Sequence, residues 1–275
     1  MRYITSGQRD LPVALIFLMI ILIGGLSACS AGRTLVFLGD SNIWYGGDDC
    51  SGERSWNHWL LEMNPGDTGR SFARSGATWT NTAHTAVDTR HYSQVLNDTN
   101  VIYNQVKRLE ESVRDGEIHP DVVYISAGIN DAWFADRRPG IYSMDPSELL
   151  AEKSKEGCNM PSAPSEAVSL AESVDLALTE LRRFLPERTR IVVVTPARCL
   201  KGRQDDFLKV CGIMAEVAAV NGADVVRIDR DLPVDLKRDA ADHYFTFDGV
   251  HTTPEAAKEI ARKVNRQLAS DGKIK

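Results

Sequence analysis

The chain has 275 residues, 43% of them hydrophobic and 25% charged, with a formal net charge of −6 at pH 7. Those proportions fit one sizeable α/β domain and exclude a disordered or fibrous chain. No basic block or Arg/Lys-rich helix occurs, so the electrostatic footprint of a nucleic-acid binder is missing, and no pair of cysteines has the CxxC spacing of zinc or thioredoxin-like redox sites.

Arg2 and Arg9 precede an apolar stretch over residues 11–26 that carries no charge. It is shorter than the about 20 residues of a comfortable membrane span and has signal-peptide character. It ends in Leu26-Ser27-Ala28-Cys29, which resembles the bacterial lipobox, whose cysteine receives a diacylglyceryl group and becomes the first residue after cleavage. The resemblance implies a signal peptide over 1–28, a lipidated tether over 29–33 and a folded domain over 34–275, with the bilayer as a partner through acylated Cys29. An ordinary secretory signal or an uncleaved anchor are the other readings. Ser30, standing where inner-membrane lipoproteins often carry Asp, points to an outer membrane and a periplasmic or exterior catalytic body.

Short apolar runs rich in β-branched residues then alternate with helical periodicities, the signature of parallel βαβ units. Strands are predicted at 34–38, weakly at 70–74, and at 122–127, 191–195 and 225–228. Helices are predicted at 55–63, 101–114, 165–185, 205–220 and 254–268, the last with Thr253 as N-cap and Pro254 at the first helical position. The pattern predicts an α/β fold on a five-stranded parallel sheet; doubly wound as a three-layer α/β/α sandwich, that sheet would take the flavodoxin-like order 2-1-3-4-5. Its ligand crevice would lie at the carboxyl ends of strands 1 and 3. Loops at 48–54 and 137–164 are long; the second reads as a substrate-side insertion, with 146–155 a possible helical part. Cys50, Cys158, Cys199 and Cys211 are an even number in a disulfide-permissive compartment with three possible pairings. Cys199–Cys211 would close a short loop worth about 3 kcal/mol, leaving Cys50–Cys158, and a buried free Cys211 is the alternative.

Two distant segments carry the chemistry. Gly39-Asp40-Ser41 closes the apolar run Leu35-Val36-Phe37-Leu38, and Asp248-Gly249-Val250-His251 lies near the far end. Together they supply a hydroxyl nucleophile, an imidazole base and a carboxylate to orient it. Gly39-Asp40-Ser41-Asn42, Ser75-Gly76-Ala77-Thr78, Gly128-Ile129-Asn130-Asp131 and Asp248-Gly249-Val250-His251 occur in the order of the blocks of the SGNH/GDSL hydrolase superfamily, which the chain resembles over essentially everything after residue 33. It departs from the commonest pattern in its loop lengths and in Asn42, where Leu is usual.

The resemblance implies Ser41 as nucleophile, His251 as general base and Asp248 as its orienting carboxylate. It implies an oxyanion hole from the backbone N–H of Ser41, the backbone N–H of Gly76 and the side-chain amide of Asn130, with no metal or cofactor. Asp40 and Asp131 read as hydrogen-bonding or helix-capping residues. His58, His84, His91, His119 and His243 read as surface or structural, His243 being the strongest decoy. Trp44, Trp79 and Trp133 stand three residues after Ser41, Gly76 and Asn130, and their faces suit a sugar ring or acyl group as well as they suit core packing. The function implied is a lipid-anchored, cell-envelope serine esterase acting on O-acyl, preferably O-acetyl, esters of a small molecule or glycan. The alternatives are an O-acetyltransferase using the same acyl-enzyme and a catalytically silent carbohydrate-binding lipoprotein.

Overall fold

The computed structural model describes residues 32–93 and 95–270; the expected signal segment and Cys29 lie outside the described residues. Five strands, β1 (Thr34–Gly39), β2 (Thr68–Ser71), β3 (Val122–Ser126), β4 (Arg190–Val194) and β5 (Asp224–Val226), form one sheet in the order β2-β1-β3-β4-β5. Every neighbouring pair is parallel, with Val36 opposite Val123 and Gly39 opposite Ser126. The expected doubly wound α/β sandwich is therefore the observed fold. It brings the carboxyl ends of β1 and β3 side by side.

The central strands are hydrophobic throughout because both faces are covered. From β1, Val36 and Leu38 enter one core with α3 (Ile102–Arg114), α6 (Leu170–Phe184) and α7 (Gln204–Val220). Leu35 and Phe37 enter the other with α2 (Trp56–Glu62) and α10 (Pro254–Ser270). In that second core Phe37 stacks on Tyr124 at 5.3 Å and meets Trp56 edge-on at 5.6 Å, geometries that add to simple area burial. β2 begins two residues before its expected start, because an edge strand needs no continuous apolar run: of Thr68-Gly69-Arg70-Ser71 only Ser71 is buried.

Helix starts follow local capping. α6 begins at Leu170 because Ser169 and Glu172 form a capping box. Thr253 Oγ1 accepts the Ala256 N–H at 3.3 Å at the start of α10. The 137–164 segment contains α5 (Pro146–Lys153), opened by an Asp145/Glu148 capping box. It is fastened to α6 and α7 through Lys153 on Asp175 at 2.5 Å and Tyr142 on Asp206 at 3.2 Å. The turns α1 (Ser41–Trp44), α4 (Ile129–Trp133), α8 (Ile228–Asp231) and α9 (Leu236–Asp242) are too short for periodicity to reveal.

The expected disulfides Cys199–Cys211 and Cys50–Cys158 are not present: all four residues are free thiols. Cys211 lies on α7 inside the first core, whereas the Cys199 thiol is turned to the Lys201 carbonyl at 3.6 Å. Cys50 is buried against Asn57 Nδ2 at 3.5 Å, while Cys158 is exposed. Burial pushes the Cys50 thiol up to about 12 and Cys199 up to about 11, so both are unreactive at neutral pH. Among the described residues no helix is long and apolar enough to cross a membrane, and no cluster of side chains is suited to hold a metal ion.

Candidate active site

The end of β1 is held from three sides. Gly39 donates its N–H to Gln105 Oε1 at 2.8 Å and accepts from Gln105 Nε2 at 2.9 Å, and Asp40 N–H reaches the Ser126 carbonyl on β3 at 3.1 Å. A Cβ at position 39 would stand 2.3 Å from that same carbonyl, so only glycine lets β1 and β3 approach here. The chain then turns into α1, whose N-cap is Asp40, its carboxylate accepting the Asn42 N–H at 3.0 Å. Ser41 is the first residue of α1, 7% exposed.

The Asp248–His251 loop faces it. His251 Nε2 lies 2.8 Å from Ser41 Oγ and His251 Nδ1 lies 2.6 Å from Asp248 Oδ2. With Asp248 charged, the arrangement assigns the ring proton to Nδ1 and leaves Nε2 to accept from the serine hydroxyl. The other oxygen, Asp248 Oδ1, accepts the N–H groups of Val250 at 2.9 Å and His251 at 2.8 Å. Partial burial raises the Asp248 pKa, but these three hydrogen bonds outweigh it and hold the carboxyl below the ordinary aspartate range.

Four residues to which sequence reasoning gave no role in the site complete this half. Tyr45 meets the imidazole at 4.8 Å, Phe247 stacks along it at 5.8 Å, and the two aromatics meet each other edge-on at 5.7 Å, so the three rings form one packed cluster. Arg54 lies 4.5 Å over Phe247. Asn42, the departure from the usual pattern, accepts the Thr252 N–H on Oδ1 at 3.2 Å, tying the nucleophile helix to the residue after the histidine. Tyr45 stands one helical turn after Ser41 and Phe247 directly precedes Asp248, spacings that could have flagged both. His243 is apart from this group, ending α9 in a left-handed conformation with Nδ1 3.2 Å from the Thr246 carbonyl.

The third wall comes from the ends of β2 and β3. Gly76 has φ +72, and a Cβ there would lie 2.4 Å from Leu96 N, so glycine is required both by conformation and by space. Asn130, on α4, donates one amide hydrogen to the Ala77 carbonyl at 2.9 Å, which fixes its side chain beside the Gly76 turn and leaves its second hydrogen uncommitted. Asp131 is fully buried and accepts the N–H groups of Trp79 at 3.0 Å and Thr80 at 2.9 Å, locking the same turn to α4. The backbone N–H groups of Ser41 and Gly76 donate to no described residue.

Of the three tryptophans expected at the site, Trp79 is placed elsewhere. It is 0% exposed in the first core with its indole N–H on the Ala127 carbonyl at 3.3 Å, so it offers no face to a ligand. Trp133 is 37% exposed and stacked on Phe134 at 5.2 Å. Trp44 lines an open cleft of about 430 Å³ together with Tyr45, Asp48, Arg74 and Tyr92. Beneath Ser41, a cavity of about 20 Å³, room for about one water, is bordered by Asp40, Asn42, Ser126, Thr195 and Thr252. Asp40 Oδ2 is buried without a hydrogen-bond partner among the described residues. Burial, reinforced by the nearby Asp131 carboxylate, raises the Asp40 pKa to about 7 against the pull of the Asn42 amide.

A hydroxyl hydrogen-bonded to an imidazole that is itself held by a carboxylate, beside uncommitted N–H donors, is equipment for acyl transfer through a serine ester. The family model of GDSL-like Lipase/Acylhydrolase matches residues 35–264. Similar solved structures include a putative GDSL-like lipase from Bacteroides ovatus, 15% identical with a TM-score of 0.53, covering 87% of this chain and 99% of that one. A catalytic mutant of an acetylxylan esterase from Geobacillus stearothermophilus is 18% identical with a TM-score of 0.52, covering 86% and 94%. A carbohydrate acetylesterase from Sinorhizobium meliloti is 14% identical with a TM-score of 0.50, covering 86% and 99%. Nothing among curated protein sequences matches the chain.

Proposed function

Because the chain belongs to the GDSL-like lipase/acylhydrolase family and is a carboxylic ester hydrolase, we propose that it removes O-acetyl groups from carbohydrate in the cell envelope, through an acyl-enzyme on Ser41. The observation that carries the mechanism is the unbroken hydrogen-bonded series from Asp248 through His251 to Ser41 Oγ. Ser41 Oγ attacks the ester carbonyl as its proton passes to His251 Nε2, and Asp248 stabilises the imidazolium through Nδ1–H. The negative charge on the tetrahedral oxygen is met by the N–H groups of Ser41 and Gly76 and the free amide hydrogen of Asn130. One such donor is typically worth about 3 kcal/mol of barrier. Collapse returns the proton from Nε2 to the leaving alkoxide and leaves acetyl-Ser41. A water then gives its proton to Nε2 and attacks, releasing acetate and restoring the serine.

Acetylated carbohydrate as substrate is supported by the two structural neighbours named for such esters. The envelope location is supported by the apolar 11–26 stretch and Cys29 at its end. The full chain is expected to turn over p-nitrophenyl acetate, with Ser41→Ala losing at least about 10⁴-fold in kcat; a folded variant with substantial residual turnover would sink Ser41 as nucleophile. Feeding cells alkyne-tagged palmitate is expected to label the wild-type chain and not Cys29→Ser; an unlabelled wild type overturns the anchor.

A further inference from the structure

The cleft that Trp44 lines is larger than an acetyl group needs, and Tyr45, one of its lining residues, touches the catalytic base. Tyr45 packs against the His251 imidazole at 4.8 Å and its ring continues into the cleft beside Trp44, 5.5 Å between centroids. The far wall is Tyr92, 54% exposed, a residue to which the sequence pattern gave no role. Its ring carries the Arg74 guanidinium at 4.2 Å. Arg74 is 8% exposed and held in place by Asp48 Oδ1 at 2.7 Å, by the Ala73 carbonyl at 2.7 Å, and through its own N–H on the Gly39 carbonyl at 3.1 Å. The last bond connects the cleft floor directly to the end of β1, two residues before Ser41.

We propose that this cleft is a subsite for a pyranose ring of the leaving alcohol, with the ring face against Tyr92 and Trp44 and its hydroxyls on Asp48 and Arg74. The inference rests on Ser41 and His251 being the ester-cleaving pair. The alkoxide that takes its proton from Nε2 must leave next to the imidazole, and Tyr45, whose ring touches that imidazole and also lines the cleft, links the two. Aromatic faces with a few fixed polar groups suit a ring that is apolar on its faces and polar at its rim. A hydrocarbon chain is the wrong occupant, since covering the Asp48–Arg74 ion pair with methylenes strips its solvent and gives no hydrogen bond in return. The planar guanidinium fork, immobilised by Tyr92 and Asp48, costs little ordering on binding.

The test compares kcat/KM of the full chain on partially acetylated xylotetraose, p-nitrophenyl acetate and p-nitrophenyl octanoate, for wild type, Tyr92→Ala and Tyr92→Phe. Tyr92→Ala is expected to lower the ratio of the sugar ester to p-nitrophenyl acetate at least ten-fold, through a raised KM, and Tyr92→Phe to restore it. An unchanged ratio, or a selective loss of the octanoate, overturns the subsite. Tryptophan fluorescence titrated with unacetylated xylotetraose separates this inference from the esterase reading. A saturable change that disappears in Tyr92→Ala supports the subsite even if no ester is turned over, in which case the esterase mechanism alone fails. No change in the wild type overturns the subsite whatever the esterase activity.

Discussion

The turn that carries Ser41 and the loop that carries His251 each contain an aspartate, and the two are held in opposite ways. Asp40 is buried with one oxygen bonded to the Asn42 N–H and the other without a partner, and its pKa rises to about 7. Asp248 is more than one-third exposed at its side chain, yet three donors surround it and keep it charged. Burial therefore does not mark the carboxylate suited to catalysis; the number of donors does. The nucleophile turn is rigid because Gln105, Ser126 and Arg74 hold its backbone. The histidine loop is held by the Leu200 N–H on the Gly249 carbonyl at 2.9 Å and by Thr252 Oγ1 on the Arg54 carbonyl at 2.8 Å, and it meets the Ser41 turn through His251 on Ser41 and the Thr252 N–H on Asn42.

Replacing the charged member should have the largest consequence. Asp248→Asn frees the imidazole to take the wrong tautomer, and kcat is expected to fall on the order of 10⁴-fold with the fold intact by circular dichroism; a loss under ten-fold would remove Asp248 from the mechanism. Gly76→Ala acts on the wall between the two turns. With φ +72 and a Cβ 2.4 Å from Leu96 N, it is expected to shift the N–H donor and cost about 10²-fold in kcat, together with a measurable drop in Tm. Asn42→Ala should loosen the link between loop and turn, lowering kcat about ten-fold with little change in KM, because the Thr252 N–H loses its acceptor. A full-rate Asn42→Ala variant would make that bond incidental.

Asp40→Asn should have the smallest effect on turnover and a distinct effect on stability. Between its unfolded value of 3.8 and about 7, folded Asp40 holds a proton that the unfolded chain has released. Its contribution is thus fully present below pH 3.8 and lost as pH rises through 7. From pH 5 to pH 8 the wild type is expected to lose on the order of 2 kcal/mol that Asp40→Asn does not lose, read from urea unfolding. Asp248 has the reverse sign: its depressed pKa gives stability above 3.8 that disappears as pH falls through the folded value. Equal slopes for wild type and Asp40→Asn over pH 5–8 would erase the contrast between the two aspartates.

The sequence by itself determined the sheet. β1, β3 and β4 are read from nearly continuous hydrophobic runs because a strand covered on both faces has few polar positions to disguise it, and α10 from its Thr253-Pro254 start. It also determined which residue types are available for the chemistry, since Ser41 closes β1 and Asp248 and His251 lie within one short loop. Tertiary structure decided what depends on distance across the chain. Spacing cannot tell Trp44, at the edge of a cleft, from Trp79, in the first core, because they stand three residues after Ser41 and Gly76 alike. Cysteine parity cannot show that Cys199 and Cys211, although both buried in the first core, are free thiols, with Cys199 turned to the Lys201 carbonyl. The Asn42–Thr252 bond, the Tyr45–His251 ring contact and the Tyr92–Arg74 wall join residues with no local sequence relation, so they exist only once the sheet order has brought β2, β1 and the final loop together.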